Sequence, residues 1–142
     1  MLRRQLPDCW TGQMEGFEHI EIGITPELRA IADEFVAYLK TYATIAKPLS
    51  HRVLCHRFDL RTKAGRYNDV ALRGLVNWLR AKGDPEVSRI GSTGKGYYWI
   101  HNEDEAEKTY SHLNSRIIGT RIAIRGIKQS FSQEFQQERL SL

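Results

Sequence analysis

The chain has 142 residues, 41% of them apolar and 27% charged, with a formal net charge of +4. That length and balance suit one soluble domain with its own core, and exclude wholesale disorder and any dependence on a metal or disulfide to fold. No apolar run approaches the roughly 20 residues that span a bilayer, and Cys9 and Cys55 lie far apart without a C-x-x-C pair, so no disulfide framework is expected.

Met1-Leu-Arg-Arg-Gln5 leads into Pro7 and Asp8 rather than an apolar segment, so no secretory leader is expected and the predicted location is cytoplasmic. Residues 1–24 lack sustained periodicity and are expected to be an arm, with Phe17, His19, Ile20 and Ile22 as one short strand. Thr25-Pro26-Glu27 is a helix start. Leu28, Ile31, Ala32, Phe35, Leu39 and Tyr42 then recur at helical spacing, which predicts a helix from 26 to about 45, ahead of Pro48. Ser50 is an N-cap for a short second helix ending near Phe58, with Val53, Leu54 and Phe58 inward. Arg61-Thr-Lys63-Ala-Gly65 is a basic turn. Asn68 or Asp69 caps a third helix with the stripe Leu72, Leu75, Val76 and Leu79, closed by Gly83-Asp-Pro85. A hairpin follows, with Glu86-Val-Ser-Arg-Ile90 and Gly96-Tyr-Tyr-Trp-Ile100 as strands about a glycine-rich turn.

Asn102 caps a last helix whose first turn holds Glu103, Asp104 and Glu105, where negative charge suits the helix dipole. Ala106, Tyr110, Leu113, Ile117, Thr120, Ile124, Ile127 and Phe131 alternate spacings of four and three, a heptad seam over 102–131. Such a helix is about 42 Å long at 1.5 Å per residue. Its seam needs a partner, either the 26–45 helix of the same chain or the same helix of a second subunit, which would make Tyr110, Leu113, Ile117, Ile124 and Ile127 dimerisation residues. Residues 132–142 form a polar tail. The expected organisation is an arm (1–24), a domain (25–101), the heptad helix and that tail.

Residues 47–100 hold eleven Lys and Arg against four acids, a net of +7, while the remainder is net −3. Concentrated positive charge is the footprint of a phosphate-contacting surface, although a merely solvated basic face has the same composition. The order of helices and strands is that of a winged helix-turn-helix. Leu72-Arg-Gly-Leu-Val-Asn-Trp-Leu-Arg-Ala-Lys-Gly83 and Gly94-Lys-Gly-Tyr-Tyr-Trp-Ile-His101, with the acidic helix start after them, resemble the small winged-helix proteins common in phages and prophages. The likeness covers about 50–115; the long N-terminal extension, the long last helix and Gly74 depart from the pattern. It implies a winged-helix fold and regulation of transcription or replication through double-stranded DNA; with the long last helix added, the expected class is α+β, mostly α, and neither a cofactor nor enzymatic activity is expected.

On that fold the third helix would turn Arg73 and Asn77 to base edges and Arg80 to phosphate, with Arg66, Tyr67 and Asn68 near the backbone or first base. Arg61 and Lys63 belong to the same basic turn. The wing would bring Thr93 and Lys95 to phosphate, with Arg89 along its first strand. All of these residues are equally ordinary as solvated surface, and Trp78 fits a core edge better than a stacking platform. Lys95 is followed by Gly96 and a strand, so the G-x-x-x-x-G-K-[ST] pattern of a nucleotide-binding loop is not met. His51 and Cys55 share a helical face beside His56, but two ligands do not make a zinc site, and no spacing brings Cys9, His101 or His112 to them. A homodimer on DNA is the expectation; the different class that remains is a winged-helix adaptor whose partner is a protein rather than nucleic acid.

Overall fold

The computed structural model describes residues 23–141, with side chains as far as 133; the expected arm and its short strand, apart from Gly23 and Ile24, lie outside the described residues. Among the described residues the architecture is α+β and mostly helical, with one two-stranded antiparallel sheet and four helices, the last of them long. Helix α1 (Pro26–Tyr42) begins as its sequence dictates. Thr25 accepts from the Leu28 amide, Pro26 occupies the first turn, and Leu28, Ala32, Phe35, Val36 and Leu39 are buried.

It stops three residues before the expected end because the chain turns to meet the sheet. Ala43 is extended, its carbonyl accepts from the Trp99 amide at 3.2 Å, and Thr44 closes a turn with Lys47. Leu49 then exchanges two backbone hydrogen bonds with Tyr97, at 2.8 and 2.9 Å. The connection between α1 and the next helix therefore runs alongside the hairpin as a single bridge.

Helix α2 (His51–Arg57) is capped by Ser50, which accepts from the Val53 amide. Its inner face departs from the expected one at Val53, which is 42% exposed; Leu54 and Phe58 are buried, with Cys55 beside them. Phe58 packs its ring on Phe35 and Tyr38. Beyond it Asp59 takes a left-handed φ of 53°, which swings Leu60 back to donate to the Cys55 carbonyl. The basic turn is ordered by an Arg61 to Tyr67 bridge and a Thr62 to Arg66 backbone bond.

Helix α3 (Asp69–Ala81) is capped by Asn68, which accepts from the Ala71 amide at 3.0 Å, and buries Leu72, Leu75, Val76 and Leu79. Strands β1 (Ile90–Thr93) and β2 (Gly96–Trp99) pair antiparallel, from Ile90 opposite Trp99 to Thr93 opposite Gly96. The first strand thus begins four residues later than expected. Residues 84–88 are instead a turn, in which the Asp84 carboxylate accepts from the Glu86 amide while the Ser88 hydroxyl donates to the Leu79 carbonyl and accepts from the Asp84 amide. Gly91 and Ser92, expected in the hairpin loop, are strand residues with the Tyr98 ring against Gly91.

Helix α4 (Glu103–Ser141) starts with a reciprocal cap: Asn102 accepts from the Glu105 amide and the Glu105 carboxylate accepts from the His101 amide, both at 2.9 Å. It runs ten residues past the expected end and is about 58 Å long at 1.5 Å per residue. Its first turns pack on β1. There Thr109 is buried, receiving a bond from the Ser92 amide and sharing another with the Tyr98 hydroxyl. Among the described residues, no helix is long and apolar enough to cross a membrane.

One position in α3 is under-used by the fold. Gly74 sits mid-helix, and a Cβ added there would meet nothing within 4 Å. Because glycine costs roughly 0.5–1 kcal/mol relative to alanine in a helix interior, Gly74→Ala is expected to stabilise the protein by about that amount. Thermal unfolding checks it: a lowered midpoint would mean that the site is not open.

Candidate nucleic-acid interface

The apolar stripe of α3 faces the core, so the opposite side is necessarily outward. Val70 is 71% exposed, and Arg73 and Asn77 are exposed one turn apart on the same outer side. Their spacing of four makes them neighbours, and their chemistry covers both purines: Arg can donate two bonds to guanine, and Asn can pair with adenine.

Arg80, grouped with them by sequence, does something else. Its side chain turns back on the hairpin, where Nε donates to the Ile90 carbonyl at 2.9 Å and one terminal nitrogen donates to the Ser92 hydroxyl at 3.2 Å. Burial pulls its pKa below the ordinary arginine value, although a guanidinium remains a cation at neutral pH. The side chain thus fastens α3 to β1, where a phosphate contact was expected. The Ser92 hydroxyl also lies 3.4 Å from His112 Nδ1, so α3, the hairpin and α4 meet in one polar chain.

At the other end of α3 the basic turn, α2 and the hairpin tip converge. Tyr67, Arg52, His51, Asp69 and Lys95 line a cleft of about 430 Å³. Lys95 is exposed at the tip, where Thr93 accepts from its amide at 3.0 Å and tightens the turn. Arg61 lies over the Tyr67 ring at 4.3 Å and donates to the Gly65 carbonyl, while Arg52 approaches that ring at 5.9 Å. Lys63 and Arg66 are exposed on the same turn. The cleft is not purely cationic: Asp69 stands 3.8 Å from His51 Nδ1, and Cys55 Sγ points to the same carboxylate at 3.9 Å. Burial, with Asp69 nearby, raises the Cys55 thiol pKa, so this thiol is held in its unreactive form. Tyr97 stacks flat on His51 at 5.1 Å, and burial raises its phenol pKa.

The structure therefore brings Tyr67 and Lys95 together and sets Arg61, Lys63 and Arg66 on the adjoining turn. Asn68 is committed to capping α3 through its Oδ1, and Arg89 stands apart, exposed beside α4 on a second cleft. Arg52 and His51 escape a reading of motifs. The Ser50 cap fixes the next two residues in the first turn of α2, but only the fold sets that turn against the hairpin tip. Trp78 is half-buried with the Lys82 ammonium 4.0 Å from its ring, a core-edge position. Among the described residues no group of three His, Cys, Asp or Glu side chains is placed to hold a metal ion.

No protein-family model matches the chain, and no curated protein or solved structure is found to be similar to it.

Proposed function

We propose that this protein is a sequence-specific binder of double-stranded DNA with a winged helix-turn-helix architecture, acting as a dimeric regulator of transcription or replication of the phage and prophage type. The observation that carries the proposal is the outer face of α3, where Arg73 and Asn77 stand exposed above a helix whose N-terminal end is flanked by Tyr67, Arg52 and Lys95. Base-reading side chains on a helix, with cations from a turn and a wing beside them, are the parts such recognition needs. The bridge from Leu49 to Tyr97 and the Arg80 fastening to β1 further support it, since both fix the wing rigidly against the helix.

In this account Arg73 and Asn77 read bases, whereas Arg61, Lys63, Arg66 and Lys95 meet phosphates. Arg80, Asn68 and Thr93 position these groups and touch no DNA. Lys95→Ala should then weaken binding to all duplexes alike and make the slope of log K against log salt about 0.9 less negative, the contribution of one phosphate contact. Titrating two unrelated duplexes across a salt series checks this; a loss confined to one sequence would move Lys95 into base reading.

A second reading is favoured by the exposed apolar residues of α4. Ile117, Ile118, Ile122, Ile124, Ile127 and Phe131 form more open apolar surface than DNA contact calls for. An adaptor that docks on another protein would use such a surface and would be indifferent to Arg73, Asn77 and salt.

A further inference from the structure

Among the described residues none covers the heptad seam of α4: Ile117 is 50% and Ile124 49% exposed, with Ile127 and Phe131 more open still. Nearer the domain, the seam residues Ala106, Tyr110 and Leu113 form one wall of a cleft of about 460 Å³, whose other wall includes Ile90, Ile100 and Arg89. Seam and cleft are thus continuous, the apolar side chains in the cleft being joined there by Arg80, Ser88, Arg89, Asn102, Glu103 and Thr109. Charge is unevenly divided along the same helix, with Glu103, Asp104, Glu105 and Glu107 against Lys108 at the domain end and Arg116, Arg121, Arg125 and Lys128 farther out.

This division distinguishes the two ways a second copy can lie on the seam. In a parallel pair in register, the flanking positions set Arg116 of each helix against Arg121 of the other, two like-charged contacts. In an antiparallel pair the seam can be matched layer for layer, Ala106 against Phe131, Tyr110 against Ile127, Leu113 against Ile124 and Ile117 against Thr120. The flanking positions then set Glu107 beside Lys128 of the second copy, twice by symmetry. Arg121 falls beside Asn114 and Arg116 beside Ala123, so no like charges meet. The smallest seam residue faces a bulky aromatic one, with the cleft beside Ala106 to receive the Phe131 ring. Thr120 donates its hydroxyl to the Arg116 carbonyl at 2.9 Å, which leaves its methyl for the central layers.

We propose that the protein is a homodimer in which two α4 helices pair antiparallel over residues 106–131, with Phe131 of each seated in the cleft beside Ala106 of the other. This rests on the dimer of the functional reading and adds its direction and register. The two Ala106 positions, 25 residues apart along paired helices, are held about 38 Å apart at 1.5 Å per residue. That is on the scale of one turn of B-DNA, about 34 Å, and matches an inverted-repeat operator.

The test uses the full chain without DNA. Sedimentation equilibrium should give a dimer. Lys128→Glu should raise its dissociation constant about tenfold by facing Glu107 with a like charge twice. The combined Glu107→Lys and Lys128→Glu exchange should return it to within about threefold of the parent. For direction, Leu113→Cys and Ile124→Cys together, with Cys9→Ser and Cys55→Ala, should on oxidation link the peptide containing position 113 to the peptide containing position 124. Links of each peptide only to itself would establish a parallel pair and overturn the proposal, as would a parent protein that stays monomeric. A monomer that still binds duplex removes this proposal and the dimer it rests on but leaves DNA binding standing, whereas a linked antiparallel dimer that ignores DNA removes DNA binding and leaves this proposal standing.

Discussion

Replacing Arg73 and Asn77 together by alanine is expected to abolish most sequence preference while leaving the fold intact. Each lost bidentate contact is worth about 1–3 kcal/mol of discrimination. The pair should therefore lower the ratio of specific to random binding by at least about 30-fold, with departures from additivity because the two side chains are neighbours. Both are exposed and, among the described residues, neither side chain makes a hydrogen bond that holds α3, so the thermal midpoint should stay where it is. The measurement is a competition between selected and random duplexes, with unfolding monitored in parallel. If preference survived the double change, the outer face of α3 would not be the reading surface. If stability fell instead, these side chains would be structural.

The second large effect is expected at the hairpin. Gly96 has a φ of +148°, and a Cβ there would collide with the Leu49 carbonyl. That carbonyl accepts the Tyr97 amide bond that ties the 43–49 connection to β2. Gly96→Ala therefore combines a backbone conformation unfavourable for an L residue with a clash against backbone that cannot turn aside. Strain and overpacking each typically cost about 1–3 kcal/mol, so a loss of about 2–5 kcal/mol is expected. Denaturant unfolding reads it directly. Since Lys95 adjoins this residue, the same change should also weaken non-specific DNA binding. A stable variant with an unaltered affinity would mean that the connection is free to move away from β2.

Local chemistry made much of the fold legible. Thr25, Ser50, Asn68 and Asn102 each cap the helix that their sequence context indicates, because capping depends on residues two or three positions away. The stripe of α3 and the heptad spacing of α4 were readable for the same reason. What could not be read depends on partners distant in sequence. Helix α1 ends early because Ala43 is claimed by Trp99, 56 residues later. Gly96 is required by Leu49 as well as by its own positive φ. Arg80 shares a face with Arg73 and Asn77 by spacing, yet its long side chain reaches back to β1, which periodicity cannot reveal.

The candidate site divides in the same way. Arg73 and Asn77 follow from the helical period once the inner face is known. That Lys95 and Tyr67 line one cleft with Arg52 depends on the hairpin tip folding over the start of α2, and no local pattern encodes it. The seam of α4 was visible as a pattern, whereas its exposure to solvent is a property of the assembled domain.

The central claim is that the basic face of this domain contacts DNA, and the most direct test is fluorescence anisotropy of the full chain on a random duplex across salt. Contacts from Arg61, Lys63, Arg66 and Lys95 predict a slope of log K against log salt of about −3.6 per engaged subunit, or about a 150-fold loss between roughly 50 and 200 mM. Absence of binding at the lowest salt, or affinity that does not change with salt, would contradict it.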